Sequence, residues 1–450
     1  MLNENIQLST TTLHPDSFLA KIAAGLPLVN REGKELIRQI QSPRWDEARQ
    51  VWEPTMAKLA AIDNGNDAIK GAMPDKQNPT LTTVRIPTAY APARELRGVD
   101  RVLTWQVNDS ERFWIGEDAL ETQKAESLPV GFTHERLPDL RYQRYLIAAL
   151  VELLIAAGYG QRGSDGALMG EWQGEHDLYL SLGLPPEEVG REGPTLLVQQ
   201  ALRLIFNTSF QVRRSDEQGR LTTWTIRFVE ITPYAQSFAS FAAWYYTVDG
   251  TPIRTNIMKH VTLDIGGGQF HACEVDLVRR AGLPRPRLRM SASQIGDGTI
   301  VIARGVSEAI RARYYNIRLS DAEAQRVLIS GMLPVGGRET PVDEILQRVI
   351  SSRAENLRSV MLPFLQEGKS FLLFTGGGSI LLAETLHQIV SAHRREDDYL
   401  FVPPHLSCVL NAIGGMVLGQ ALAQRLVQTS TAELLAGQRL VPPKGAAHEQ

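Results

Sequence analysis

Three short segments of the chain hold the residue types that phosphate chemistry needs. They are Asp63-Asn64-Gly65-Asn66-Asp67-Ala68-Ile69-Lys70, Asp264-Ile265-Gly266-Gly267-Gly268-Gln269 and Thr375-Gly376-Gly377-Gly378-Ser379. A tight turn without a bulky Cβ lets consecutive backbone N–H groups point into one concavity, a nest for phosphate oxygens. An aspartate at the end of the inbound strand sits beside that nest. It can hold Mg2+ through waters without directly repelling the phosphates, because magnesium keeps several waters of its own. Asp63 and Asp264 are therefore the candidate metal-holding and catalytic carboxylates. Asn64, Gly65 and Asn66 form one candidate cradle, and Gly266, Gly267 and Gly268 the other. Lys70 follows the first turn closely enough for its ammonium to reach β- or γ-phosphate oxygens. The third segment runs from a strand through three glycines into a helix, which brings the backbone of Gly376 to Ser379 and a helix N-terminus close to a ligand. Each piece alone also reads as an ordinary glycine turn or a surface lysine; the order and spacing of all three is the signal. No GxGxxG opens a helix after the first strand and no GxxxxGK[ST] occurs, so the pattern is neither a Rossmann fingerprint nor a Walker A loop.

The elements that must position these residues can be read from periodicity. Residues 1–56 carry short helical patterns (SFLAKIAAGL, KELIRQIQ, RWDEARQVW) and no recognisable chemistry, which predicts an N-terminal extension. From Lys58, KLAAI, the turn DNGND and the returning IKGAM predict a hairpin with an acidic, glycine-containing tip. Strand-like pieces follow at LTTVRIP, RVLTWQV and RFWIGEDAL, then a helix from about Leu140 to Ala157. HDLYLSLGLPP reads as a buried strand, TLLVQQALRLIF as a helix, LTTWTIRFVEITP as a pair of strands and SFASFAAWYY as an apolar helix. The second half opens on another hairpin, HVTLDIGGGQFHACEVDL. Helices are predicted over 299–314, 320–330 and 342–365, followed by the strand FLLFTGGGS, the helix ILLAETLHQIV and the final helix LNAIGGMVLGQALAQRL. A strand–turn–strand with an Asp-x-Gly tip thus occurs once in each half, which predicts two halves built on a similar plan.

Several weaker signals stay open at this level. Gly296-Asp297-Gly298 reads from its own residues as a turn with a helix cap. Gly414 and Gly415 lie inside an apolar helix at a cost of roughly 1 kcal/mol each relative to alanine, which points to close packing, a hinge or a plain helix crossing. Arg394 to Asp398 reads as a solvated charge run. The basic stretch Arg279 to Arg289 reads as a solvated loop or a contact for an acidic partner, and His271 as a core position rather than a metal ligand.

The chain has 450 residues, 43% hydrophobic and 22% charged, which suits a globular protein of two or three domains. The formal net charge of -3 argues against a general basic coating for nucleic acid, so a role at DNA would run through an adaptor. The two cysteines, Cys273 and Cys408, form no CxxC pair and read as free buried thiols in a reducing compartment. The N-terminal stretch has no basic segment followed by an apolar one, as a signal peptide has. The most apolar run, Tyr145 to Tyr159, is shorter than the roughly 20 residues of a membrane span and contains Glu152. The expectation is a cytoplasmic protein with no membrane partner.

The motif set resembles the superfamily of actins, sugar kinases and heat-shock chaperone ATPases, and within it the ParM/StbA-type bacterial actins. LAAIDNGNDAIKGAM looks like the first phosphate loop of that superfamily, VTLDIGGGQFHACEV its second, FLLFTGGGSILL its adenosine loop and LNAIGGMVLG its second connecting helix. RFWIGEDAL and LYLSLGLPP are similar to segments of the ParM/StbA branch. The resemblance spans about residues 58–425. It implies an α/β fold of two actin-like (ribonuclease H-like) domains flanking a nucleotide cleft. The divisions expected are an extension at 1–56, domain I at 57–255 with an inserted subdomain, domain II at 256–428 including the final helix, and a tail at 429–450. It implies ATP (or GTP) with Mg2+, ATP hydrolysis, self-association into filaments, and plasmid segregation through a DNA-binding adaptor. Gly296 would join the nucleotide-binding set. For the residue that orients the attacking water, where relatives often carry glutamate or glutamine, this chain offers Gln236, with Glu230 second; capping of the following helix is the alternative role for Gln236. A glutamine suffices because loose phosphoryl-transfer transition states need positioning more than proton abstraction. The sequence departs from the pattern at Asp67, where many relatives place a hydroxyl residue. The other functions open on the same fold are an exopolyphosphatase, a small-molecule kinase and a non-hydrolysing nucleotide-binding scaffold.

Overall fold

A computed structural model describes residues 13–46, 49, 51–93, 103–120, 122, 126, 128–129, 131–190, 193–206, 208–280, 283–295, 298–367 and 370–427. Contacts divide the chain into two compact units. One comprises Pro15–Ile253 with residues 411–427, the other Arg254–Leu410.

The first unit is organised on a ten-stranded sheet. Strands Val51–Asn64, Ala68–Pro74 and Leu81–Pro87 form an antiparallel meander. Helix Leu140–Ala156 then crosses to strand Gln173–Leu184, which pairs in parallel with Val51–Asn64. Helix Leu196–Phe206 follows, and strand Leu221–Ala235 pairs in parallel on the far side of Gln173–Leu184. Short strands Phe210–Ser215, Thr104–Val107, Phe113–Ile115 and Tyr90–Pro92 extend that edge. The crossover helix presents Tyr142, Leu146, Leu150 and Leu153 to the sheet, where they join Leu59, Ile62, Leu180 and Leu182 in one apolar core.

The second unit repeats the same order of elements on five strands. Lys259–Ile265, Gln269–Arg280 and Leu283–Ile295 make the meander. Helices Thr299–Arg313, Asp321–Ser330 and Asp343–Gln366 lead to Ser370–Thr375, parallel to Lys259–Ile265. A helical segment interrupted at Leu382 precedes the parallel strand Tyr399–Phe401. Strands Lys259–Ile265 and Ser370–Thr375 are buried along their whole length, as central parallel strands covered on both faces must be. Asp63 is the penultimate residue of the first strand of its meander, and Asp264 holds the same place in its own. Both therefore lie at the carboxyl ends of parallel strands, where open α/β sheets bind ligands.

Several elements differ from expectation. The stretch 39–46 forms a strand, not a helix, and pairs antiparallel with residues 51–58. KELIRQIQ and RWDEARQVW are rich in helix formers, and pairing with a neighbouring strand overrides that propensity. Residues 15–56 thus belong to the body of the first unit: Phe18 and Leu19 of helix Phe18–Ala23 are fully buried and Ile40 joins the core. LTTWTIRFVEITP is one strand, Leu221–Ala235, and a register shift between Phe228 and Glu230 accounts for its broken alternation. Residues 283–289 of the basic stretch are strand, and Arg289 pairs with Glu274 at 3.1 Å. Arg394 is buried, not solvated, and donates to the carbonyls of Phe364, Glu367 and Ser370. Among the described residues no helix is long and apolar enough to cross a membrane.

The final helix, Leu410–Val427, packs with the first unit from Asn411 onward, whereas the sequence placed it in domain II. Ala412, Met416 and Ala423 enter that unit's core, and the Gln420 amide brackets Ile37, accepting from its N–H at 2.9 Å and donating to its carbonyl at 2.7 Å. Its glycines mark a close crossing within the unit. A Cβ on Gly414 would lie 1.7 Å from the Ala239 carbonyl oxygen of helix Gln236–Tyr245, and one on Gly415 would lie 2.4 Å from the Tyr234 ring. Gly414→Ala gains helix propensity of about 1 kcal/mol but drives this crossing apart. It should destabilise the protein by a net of about 2 kcal/mol or more, read from the midpoint of chemical denaturation; an unchanged midpoint would contradict the close crossing.

Candidate functional site

The first turn is held by a buried network beneath it. Asp63 pairs across the hairpin with Lys70, and Asn64 with Ile69, so Gly65 to Asp67 form the tip. A Cβ on Gly65 would lie 2.8 Å from the Ala68 carbonyl oxygen, a backbone atom that cannot swing aside, which is the physical need for glycine there. Arg136, 1% exposed, donates to the carbonyls of Asn64 at 2.8 Å and Gly65 at 3.1 Å. The Asn64 side chain accepts from the Tyr142 hydroxyl, and Asn66 Oδ1 accepts from the Gly131 N–H at 3.0 Å. With their backbone carbonyls directed down onto Arg136, Asn64 and Gly65 are fixed in orientation rather than free to rotate.

Asp63 is 4% exposed, and Gln236 Nε2 donates to its Oδ1 at 2.7 Å. Gln236 is the first residue of its helix and the cap position falls on Ala235, so its amide serves Asp63 and not the helix end. A carboxylate only accepts, which fixes the amide nitrogen toward Asp63 and turns Oε1 the other way. The Tyr234 hydroxyl donates to the Ile62 carbonyl at 3.1 Å and its ring fills the space over Gly183, tying the end of strand Leu221–Ala235 to the Asp63 strand. Burial, then the neighbouring Asp63 charge, push the Tyr234 phenol well above its ordinary value, so it stays a neutral donor. Glu230 is exposed and stands opposite Tyr179, several residues along the strand from Tyr234 opposite Gly183. It is not part of this cluster.

Lys70 is buried, and its Nζ lies 2.5 Å from Asp67 Oδ1. Arg85, paired with Lys70 on the next strand, lies 3.5 Å from Asp67 Oδ2. Burial opposes the Lys70 charge, but Asp67 and Asp63 outweigh it and raise its pKa. Burial likewise opposes ionisation of Asp67, and Lys70 and Arg85 overcome it, holding that carboxyl below the ordinary range.

In the second unit, Asp264 is 4% exposed and stands opposite His271 on one side and Thr375 on the other. The Gly266 and Gly267 carbonyls accept from the N–H groups of Thr299 at 3.0 Å and Ile300 at 2.8 Å, so the first turn of helix Thr299–Arg313 pins this loop. A Cβ on Gly298 would meet the Gly267 carbonyl oxygen at 2.3 Å. Gly298 is thus a helix cap chosen for close approach; Gly296 lies outside the described residues. Gly376 has φ +87° and a Cβ there would sit 2.3 Å from Asp264 Oδ1, so the bare backbone of the third segment abuts the second aspartate. Gly377 opens the short helix Gly377–Leu381, and a Cβ on Gly378 would strike Ile265. The Ser379 hydroxyl is spent inside the unit, donating to the Gly376 carbonyl at 2.8 Å and meeting Ser407 Oγ at 3.1 Å. Its role is to brace the loop.

The structure thus brings Asp63, Asn64, Gly65, Asn66, Lys70 and Gln236 together in the first unit, and Asp264, the 266–268 loop and the 376–378 loop in the second. Sequence reasoning missed Arg136, Tyr142, Tyr234 and Arg85. Each is a single residue of a common type, and no local spacing distinguishes them.

Among the described residues no group of three or more His, Cys, Asp or Glu could cage a metal. Mg2+ asks for less: one or two carboxylates beside phosphate oxygens and waters. One buried carboxylate beside each glycine turn, Asp63 and Asp264, fits that demand.

No protein-family model matches this chain, and no curated protein matches its sequence. Solved structures do. A ParM filament from Clostridium botulinum superposes with a TM-score of 0.60 at 16% identity, covering 79% of this chain and 98% of that one. An archaeal actin homologue gives 0.59 at 17% identity, with 82% and 99% covered. Bacillus thuringiensis ParM with AMPPNP gives 0.56 at 14% identity, with 81% and 99% covered. At such identities the likeness speaks for architecture alone, and with the repeated order of elements it establishes that the chain has the two-domain α/β fold of the actin-like proteins, with ParM structures among its neighbours.

Proposed function

We propose that this protein is an actin-like ATPase that binds ATP (or GTP) with Mg2+ through the Asp63 and Asp264 turns together and assembles into nucleotide-dependent filaments. Plasmid DNA segregation through a DNA-binding adaptor is the cellular role this reading favours. The observation that carries it is the buried Asp63–Gln236 pair set beside Lys70 and a glycine turn. A carboxylate, an amide and an ammonium converging on bare backbone suit a phosphate and an ordered water.

In this reading the backbone of 64–66 and 266–268 cradles the phosphates, Lys70 neutralises β- or γ-oxygens, and Gly376 to Gly378 give the adenosine a surface without side chains. Gln236, held by Asp63 through Nε2, offers Oε1 to accept a hydrogen bond from the attacking water and align it. Magnesium, held through waters by Asp63 and Asp264, would supply the charge neutralisation that a triphosphate needs. Assembly is supported by the resemblance of fold to a ParM that is solved as a filament. Contacts that a γ-phosphate makes with both turns would favour one arrangement of the units over others, which is how a nucleotide acts as a switch.

Purified protein should pellet and form filaments by electron microscopy with ATP and magnesium above a critical concentration; a chain that stays monomeric at every accessible concentration contradicts assembly. ATP alone should yield phosphate, without a sugar or polyphosphate acceptor; dependence on either would favour the kinase or polyphosphatase chemistry. Gln236→Ala should lower phosphate release by about a hundredfold while ATP binding stays within about twofold, as expected of a group that acts on the water rather than on the nucleotide. Equal losses in binding and turnover would assign Gln236 a merely structural part.

A further inference from the structure

Asp67 stands where a negative charge is least expected. It lies at the tip of a turn read as a phosphate cradle, and its carboxylate grips the lysine meant for the phosphate. Its Oδ1 is 2.5 Å from Lys70 Nζ and its Oδ2 is 3.5 Å from Arg85. Lys70 and Arg85 are directly paired on adjacent strands, so their side chains leave the sheet on the same face and Asp67 bridges them. Asp63 pairs with Lys70 from the other side, which completes a row of carboxylate, ammonium and guanidinium across three strands. The Asp67 main chain cannot retreat, because its carbonyl accepts from the Thr88 N–H at 2.9 Å. Only rotation of the side chain is left to it. Lys70 is buried while Arg85 is largely exposed, so the two cations differ in which can follow the carboxylate outward.

We propose that Asp67 is a built-in competitor for the phosphate at Lys70, and that Arg85 receives its carboxylate when the phosphate arrives. The proposal rests on the nucleotide reading of the first turn and adds to it what sets the affinity. With Asp67 on Lys70, the ammonium is neutralised and a triphosphate must displace a charge-assisted hydrogen bond to reach it. With Asp67 turned wholly to Arg85, Lys70 is freed and the added negative charge is kept paired instead of facing the phosphate. The chain thereby holds a weaker nucleotide site than the same turn with a neutral residue would make.

The test is a double-mutant cycle on affinity for methylanthraniloyl-ATP in magnesium, read by fluorescence. Asp67→Asn should tighten binding by about tenfold, the scale of one charge-assisted hydrogen bond that no longer has to be displaced. Arg85→Gln should weaken it by about threefold or more, because the carboxylate loses its second partner, and the same change should have no effect in the Asp67→Asn background. Asp67→Thr, with a hydroxyl at the same place, should match Asp67→Asn and guards against a folding artefact of either variant. If Arg85→Gln weakens binding equally in both backgrounds, Arg85 acts on the phosphate directly and the handover is wrong. If wild-type protein binds but Asp67→Asn binds no tighter, the competitor role is wrong and the nucleotide reading stands. Wild-type protein without saturable binding would overturn both.

Discussion

A carboxylate buried to 4% exposure must be met by donors, or the fold would carry its full desolvation penalty. Asp63 is in that position, and much of the first unit can be understood as the arrangement that meets it. Gln236 supplies an N–H from the start of one helix, and Lys70 stands across the hairpin. Tyr234 ties the end of the strand before Gln236 to Ile62, and Gly414 of the final helix packs closely on helix Gln236–Tyr245. The Ser240 hydroxyl donates to Asn411 at 2.6 Å in the same crossing. A side chain at Gly414, far along the sequence, would therefore be felt at the aspartate.

The second unit meets the same demand with different material. Asp264 occupies the corresponding strand position, but the neighbour is the backbone of Gly376, admitted by a positive φ and by the lack of a Cβ. Its glycine loop is pinned by the N–H groups of a helix, where the loop of the first unit is pinned by Arg136. Two copies of one topology thus stiffen their turns by unlike means.

Much of this was legible in the sequence. The Asp-x-Gly turns, the glycine triplet and the small residues of the final helix carry their physical reasons locally, as lack of Cβ and as charge beside a turn. Most core strands and helices followed from periodicity. What was not legible depends on tertiary partners. Residues 39–46, which join the ends of two helical patterns across Ser42-Pro43, become a strand because 51–58 offers an edge to pair with. Arg136 and Tyr142 serve a turn some seventy positions earlier, as the separations of 72 and 78 residues to Asn64 state. Ser379 was read for its backbone beside a ligand, and the bond of its hydroxyl to the Gly376 carbonyl came only from the folded loop. Asp67 was visible as an anomaly, but its partner Arg85 came only from the pairing of strands.

The account turns on one triphosphate being served by both aspartates. Calorimetric titration of Mg-ATP into the wild type, Asp63→Asn and Asp264→Asn tests this most directly. The account predicts that each single change sharply weakens binding in magnesium and that the difference shrinks when the metal is chelated. Full affinity retained by either variant, with its fold intact, would contradict a shared site.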